Sequence, residues 1–374
     1  MPQRVVHLTS VHPAFDVRIF EKECRSLAAA GYDVAIIAPH EKDETREGVR
    51  LVSVPLSRNR RERITKTVLQ VYRAALQQNA DIYHFHDPEL LPVGILLKLR
   101  GKLVIYDVHE NYGATLRGKA WIPGALRAVA SMVVRVVENA GAAFFDAVVT
   151  ATPSIAELFP KKKTVVVRNF PRLASVSPAY QLKRLGGQAV YVGNVTTVRG
   201  SRTMVEAIAL VPKELSAELA IAGSLSDELR NELQNLPGWA QTRILGWLSR
   251  AQVEMLLAES RLGLCVLHPT PNHVEAYPIK LFEYMGAGIP VVASDFPLWR
   301  EFVIETNCGL VVDPLSPIAI AEAITWLLSH PEDAEAMGRN GQMAVQRMYS
   351  WEREADQLVE TYKRLLPAIA DGCV

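Results

Sequence analysis

The chain has 374 residues, 49% hydrophobic and 22% charged, with a formal net charge of +1. At roughly 150 residues per domain this length suits about two to three domains, and the composition excludes a disordered or collagen-like chain. The balance of 41 basic against 40 acidic residues removes the electrostatic basis for a dedicated nucleic-acid binder.

In chain order, residues 5–8 (Val-Val-His-Leu) read as a short buried strand. Val17, Phe20, Cys24, Leu27 and Ala28 then recur at helical spacing, and Gly31 ends that helix. Apolar strands follow at 34–38 and 51–54, a helix at 64–77, and a strand at 81–86 that ends in His84, His86 and Asp87. The strand at 103–106 runs into Asp107, His109 and Glu110, and two more strands lie at 147–150 and 164–167. Pro171, Pro178, Gly186 and Gly187 then punctuate a stretch that reads as a linker. A second series of strands occupies 189–192, 218–222, 242–245, 262–267, 290–293 and 309–312, and a helix from about Trp351 to Ile369 closes the chain. Continuous apolar strands separated by amphipathic helices predict parallel sheets covered on both faces. The expected fold is therefore α/β: two Rossmann-like, doubly wound domains facing across a cleft. The expected boundaries are 1–172, a linker at 173–188, 189–350, and a terminal helix at 351–374.

Ligands of such sheets sit beyond the carboxyl ends of the strands. The strongest local signal there is Glu275-Ala-Tyr-Pro-Ile-Lys-Leu-Phe-Glu283, continuing Tyr-Met-Gly-Ala-Gly-Ile-Pro-Val-Val-Ala-Ser294. Pro278 suits the first turn of a helix. The amides of Ile279, Lys280 and Leu281 would then face an anion, aided by the helix dipole. Glu275 and Glu283 would offer carboxylates to hydroxyls, although spacing alone also fits an ordinary exposed pair. Asp16 caps a helix as readily as it faces a ligand. His84, His86 and Asp87 could be metal ligands, but no further Cys or His at suitable spacing supports that reading, and a structural or acceptor-pocket role suits them better. Neither domain's first strand runs into Gly-x-Gly-x-x-Gly, which counts against a dinucleotide-dependent dehydrogenase.

The Glu-x7-Glu segment and its Tyr-Met-Gly-Ala-Gly-Ile-Pro continuation resemble the signature of the retaining glycosyltransferases of the GT-B fold, family 4. Tyr191-Val-Gly-Asn-Val-Thr-Thr-Val-Arg-Gly200, Ile221-Ala-Gly-Ser224, Leu245-Gly-Trp-Leu-Ser249 and the helix 351–365 are similar to that family's second domain and its returning helix. The resemblance implies an enzyme that moves a sugar from a UDP- or GDP-linked donor to a carbohydrate or lipid-linked acceptor, without a metal or other cofactor. It assigns Gly193, Asn194, Arg199, Gly223, Gly246, Trp247, Glu275, Ile279, Lys280, Leu281 and Glu283 to the donor. Among these, Glu283 would hold ribose hydroxyls and Glu275 the sugar. His109, Arg199 and Glu275 would be catalytic, and His12, Asp16, Arg18, His86 and Asp107 would lie on the acceptor side. One departure stands out: the family's usual arginine in the loop after Gly193 is Asn194 here, which removes one cation of the diphosphate clamp. Alternatives are a sugar-nucleotide epimerase on the same fold and a non-catalytic sugar-nucleotide-binding protein.

The four cysteines, Cys24, Cys265, Cys308 and Cys373, form no Cys-x-x-Cys and suggest a reducing compartment. Arg4, His7, His12, Asp16 and Arg18 interrupt any signal-peptide pattern. No run without charged residues exceeds about fourteen, short of the roughly twenty that a spanning helix needs. A cytoplasmic location is expected, at the inner face of the membrane if basic stretches 58–66 and 161–163 and the apolar segment 121–137 make peripheral contact. The oligomeric state is left open.

Overall fold

The computed structural model describes residues 2–117, 123–173 and 186–366. The chain divides into two compact units: Met1–Asn169 with Glu352–Val374, and Phe170–Trp351. Most of the stretch read as a linker, 174–185, lies outside the described residues, as do 121–122 of the apolar segment and the chain end from 367.

The first unit is built on eight strands: β1 (Arg4–Leu8), β2 (Asp33–Pro39), β3 (Glu44–Arg46), β4 (Val49–Val54), β5 (Ile82–Phe85), β6 (Leu103–Val108), β7 (Ala147–Thr150) and β8 (Thr164–Val166). Their order is β3-β4-β2-β1-β5-β6-β7-β8, and all pairs are parallel except β3 with β4. The edge strand β3 was not foreseen. Glu47 and Gly48 both adopt positive φ, 52° and 77°, which makes the tight turn that folds β3 back on β4.

Strand periodicity gives each face its own chemistry. Val6, Leu8, Tyr83, Phe85, Val104 and Tyr106 join one apolar core with Val71, Ala75, Leu91 and Leu97 of the helices Val68–Gln78 and Leu91–Leu99. Residues of opposite parity put His7 beside His84 in register, β1 against β5. The helix expected from Val17 begins instead with a π-helical stretch, Ile19–Cys24, and continues as Arg25–Ala29. The Glu23 amide donates to the Arg18 carbonyl, five residues back, at 3.0 Å. Such π turns are frequent at functional sites because they re-aim side chains. The helix Trp351–Leu365 belongs to this unit from Glu352 onward, where Glu354 accepts from the Arg168 amide at 2.7 Å.

The second unit has six parallel strands: β9 (Gly187–Val192), β10 (Ala217–Ala222), β11 (Thr242–Gly246), β12 (Leu262–Cys265), β13 (Val291–Ser294) and β14 (Gly309–Val312). Their order, β11-β10-β9-β12-β13-β14, is the doubly wound arrangement. β9 starts at Gly187, inside the stretch read as linker, because Gly187 and Gln188 already pair with Ala217 and Glu218. Each face has a core. One gathers Val190, Ala220, Cys265 and Val291 with Phe282 and Trp299, the other Tyr191, Leu219, Leu264 and Val292 with Met204 and Ile324.

Candidate functional site

In both sheets the strand order reverses beside the first strand, between β1 and β5 and between β9 and β12. Loops diverge at such a point, which opens a crevice at the carboxyl ends of the strands.

In the second unit this end is lined by bare backbone. The Gly193 amide donates to Ala222 at 2.8 Å and the Gly223 amide to Gly246 at 2.7 Å, which draws the three loop starts together. Gly223 has φ +154° and a methyl group there would lie 1.8 Å from the Gly193 carbonyl oxygen, so only glycine fits. Gly200, at φ +79°, likewise lies against the Val266 carbonyl, where a methyl would approach to 2.2 Å. This contact seats the short turn Thr197–Arg199 against the end of β12.

The helix Ile279–Gly286 is anchored through Tyr284, whose buried ring lies against Gly263 and whose hydroxyl accepts from the Val192 amide at 2.9 Å. Its position brings Lys280 over the Gly193 loop. Lys280 Nζ donates to the Tyr191 hydroxyl at 3.1 Å and stands 4.4 Å from that ring's centroid. Tyr191 in turn donates to the Asn194 carbonyl at 2.8 Å. Arg199 makes no ion pair among the described residues. Burial pushes the Cys265 thiol up to about 12, and the Lys280 and Arg199 charges both pull against it. The His273 imidazole is held below its usual value by burial and by the same two cations. Arg199 and Lys280 thus act on one locality at the switch point.

The remaining residues expected at the donor are less concentrated. Pro278 is the residue before the helix rather than its first member, and the Leu281 amide already donates to the Pro278 carbonyl at 3.0 Å. This corrects the expectation of three available amides, leaving Ile279 and Lys280, whose first-turn N–H groups have no partner within the helix. Glu283 accepts from Arg250 Nη1 at 2.7 Å. Glu275 is exposed at the end of the short helix Pro271–Val274, Asn194 is exposed, and Trp247 is 78% exposed after Gly246. Sequence reasoning missed Tyr191, Arg250 and His268. The His268 Nε2 atom is buried without a partner among the described residues, and its amide donates to Val198 beside Arg199.

The first unit furnishes the equivalent end with side chains. Asp107 accepts both Arg18 Nε and Nη2, at 3.2 and 3.0 Å, and Arg18 also donates to the Val167 carbonyl at 3.0 Å. Burial opposes ionisation of Asp107. The Arg18 charge, with His109 and His86 beside it, nevertheless holds the carboxyl well below the usual range. His86 lies with Nδ1 3.2 Å from Asp107 and Nε2 2.9 Å from His7 Nδ1. Burial lowers the His86 imidazole to about 4, so it is neutral and donates through Nδ1 to Asp107. His109 Nε2 is 3.2 Å from the same carboxylate, with 13% of its side chain exposed. His12 lies over it, ring centroids 5.1 Å apart, between Asp16 and Asp87.

Of the residues expected on the acceptor side, Arg18, His86 and Asp107 are buried and mutually paired, a correction to the expectation that they face a ligand. The Arg18 and Asp107 charges stay buried because each compensates the other. His12 and Asp16 reach solvent, and Asp16 accepts the amides of Arg18 and Ile19 at 2.8 and 3.0 Å, the capping role. His7, Glu23 and Tyr362 complete the cluster and were not singled out. Their only sequence signal was polarity inside apolar elements.

Comparison with known proteins follows the two units. The family described as Glycosyl transferases group 1 matches residues 183–343, and that described as Glycosyl transferase 4-like domain matches 17–169. The chain is 26% identical over 223 residues to D-rhamnosyltransferase WbpZ of Pseudomonas aeruginosa, a match covering 55% of the chain and 56% of that protein. The chain therefore aligns with little more than half of that relative's length. It is 25% identical over 377 residues to the glycogen synthase of Mycobacterium tuberculosis, covering 90% of the chain and 88% of that enzyme. Among solved structures, Anabaena HepE in complex with UDP and glucose superposes with a TM-score of 0.74 at 14% identity, covering 97% of this chain and 100% of that one. That likeness concerns the fold.

Proposed function

The chain belongs to glycosyltransferase family 4, of the GT-B fold, and from that premise we propose that it transfers a sugar, with retention of configuration, from a nucleoside-diphosphate sugar to an acceptor hydroxyl. Its role as a glycosyltransferase in glycan biosynthesis comes with the family. The observation that carries the finer reading is Lys280 Nζ beside the Gly193 loop, with the Arg199 charge acting on the same Cys265 and His273 as the Lys280 charge. As the bond to the diphosphate breaks, negative charge grows on the leaving phosphate. Lys280, Arg199 and the first amides of the helix Ile279–Gly286 stabilise that charge more than they stabilise the ground state. Lys280 replaces the positive charge that Asn194 lacks. Glu283 accepts ribose hydroxyls after sharing Arg250, and Glu275 accepts hydroxyls of the sugar. His109, oriented by Asp107, is the catalytic residue of the first unit. In this reading the leaving phosphate accepts the acceptor's proton, and no metal is assigned to the step.

Thermal unfolding against UDP, GDP, ADP, dTDP and their sugars tests this. A ligand at 100 times its Kd adds about 2.7 kcal/mol of stability. A raised Tm with one nucleotide and its sugars is expected, and HepE's complex makes UDP the first to try. No shift with any nucleotide would overturn the donor assignment.

The acceptor is proposed to be lipid-linked and met at a membrane surface. The helix Gly124–Phe144 leaves Leu126, Val129, Met132, Val133, Val136 and Val137 exposed along one stripe, with Arg127 and Arg135 among them. A stripe of this kind suits the interface plane. No helix among the described residues is long and apolar enough to cross a membrane. Co-sedimentation with anionic vesicles, lost in Met132→Glu/Val136→Glu, is the expected result.

A further inference from the structure

We propose that the buried end of β1 and β5 is a structural site for one divalent transition metal, zinc in the first instance, held by His7 Nδ1, His84 Nε2, His86 Nε2 and a carboxylate oxygen of Glu23. The four residues are fully buried, and their ligand atoms lie within 4.8 Å of one another. His7 Nδ1 is 2.9 Å from His86 Nε2, and Glu23 Oε2 is 3.9 and 4.0 Å from those two atoms. Donors around a tetrahedral zinc with bonds of about 2.0–2.2 Å stand roughly 3.3–3.5 Å apart. The observed separations straddle that value, so sub-ångström movements suffice.

Three further observations point the same way. First, His84 Nε2 and both Glu23 oxygens have no hydrogen-bond partner among the described residues, although buried polar atoms are ordinarily satisfied. The Arg18 guanidinium stands 2.9 Å from Glu23 Oε1 as an ion pair. Second, that one guanidinium faces two buried carboxylates, Glu23 and Asp107, so the second carboxylate is balanced either by a proton or by a cation that displaces it. Third, each imidazole has its other nitrogen engaged. His84 Nδ1 lies 2.7 Å and His7 Nε2 3.4 Å from the Tyr362 hydroxyl, and His86 Nδ1 lies 3.2 Å from Asp107. Histidine ligands to metals characteristically make such contacts, which fix the tautomer and ring orientation.

Metal entry replaces the His7–His86 hydrogen bond. The proton on His7 Nδ1 moves to Nε2, facing Tyr362, and a proton carried by Glu23 leaves to solvent, so binding releases acid. Imidazole and carboxylate ligands favour zinc over magnesium or calcium. Four protein ligands with none exposed make a closed site rather than a catalytic one. The metal would tie β1, β5 and the π turn together and, through Tyr362, the helix Trp351–Leu365. This inference does not rest on the proposed transfer reaction.

The test is elemental analysis of the full, untagged chain purified without chelator, with cobalt(II) exchange read in the visible spectrum. About one zinc per chain is expected, with tetrahedral cobalt bands after exchange. The metal should be lost in Glu23→Gln and His84→Gln. Tyr362→Phe should bind zinc about 10–100-fold more weakly. If those variants do not fold, the wild-type stoichiometry and cobalt spectrum decide. A metal-free chain whose Tm responds neither to zinc nor to a chelator, and which gives no cobalt bands, overturns the proposal. Zinc retained at full stoichiometry in both folded variants does so as well. Metal content is read without any sugar donor, so this outcome is independent of transferase activity.

Discussion

At the reversal point of the first sheet, β1 and β5 lead into His7, His84 and His86, packed among Asp107, Arg18 and Glu23 with no exposure to speak of. At the equivalent point of the second sheet, β9 leads into Gly193 with Lys280 Nζ beside it, and Gly200 and Gly223 let neighbouring stretches of backbone pack in close contact. Strand order is shared and chemistry is not. One end is filled by side chains that satisfy each other's charges, and the other is built from closely packed glycine backbone with a lysine beside it. The fold supplies a place for a ligand in both units, and the residues at the strand ends decide whether it is used as an interior or as a surface.

If the two ends differ in this way, disturbing the first should register in stability and disturbing the second in turnover. The largest effect is expected from Asp107→Ala. It strips Arg18 of its bidentate partner inside the protein, a loss of about 3–5 kcal/mol in urea unfolding. A cost below about 1 kcal/mol would mean that the first end is not held by charge compensation. Arg199→Ala should leave the urea midpoint unchanged while lowering turnover 10²–10³-fold, equivalent to about 2.7–4 kcal/mol of transition-state stabilisation. Full activity in this variant would show that the diphosphate is held elsewhere.

A pH series sharpens the contrast within the first unit. Burial raises the Glu138 carboxyl to about 7, although Tyr106 donates to it at 2.8 Å and pulls it down. Between its ordinary value of 4.5 and about 7 the folded chain keeps a proton that the unfolded chain has lost, so stability falls as pH rises through that window. At about 1.4 kcal/mol per pKa unit the loss attributable to this group is about 3–4 kcal/mol, and Glu138→Gln should remove it. An equal pH slope in the variant would assign the effect to other groups. The smallest change is expected from Glu283→Ala. Freed of its Arg250 pairing, the second unit should bind nucleotide about tenfold more weakly in calorimetry, with stability little changed. Unchanged affinity would remove Glu283 from the ribose.

Most strands were legible because a parallel strand buried on both faces is an uninterrupted apolar run, as in 34–38 and 291–293. β3 was not, because Glu44-Thr-Arg46 is polar and its pairing depends on a turn at Glu47-Gly48 that composition barely marks. Arg199 and the glycines follow strand ends, and Lys280 lies inside the Glu275–Glu283 segment, so each could be named from a local motif. Of the imidazole cluster, His84, His86 and His109 could be named from strand ends, and His7 could not.

The sequence by itself determined the two βα series, the place of each strand end and the polar residues that follow it, because these depend on contacts near in the chain and on the period of burial. Only the tertiary structure decided which of those residues meet. His7 joins His84 through a β1–β5 register 77 residues apart in sequence, Glu23 enters through a π turn, and Tyr362 arrives on the last helix. Such long-range partners are selected by the summed packing of whole elements, and no local pattern carries that information.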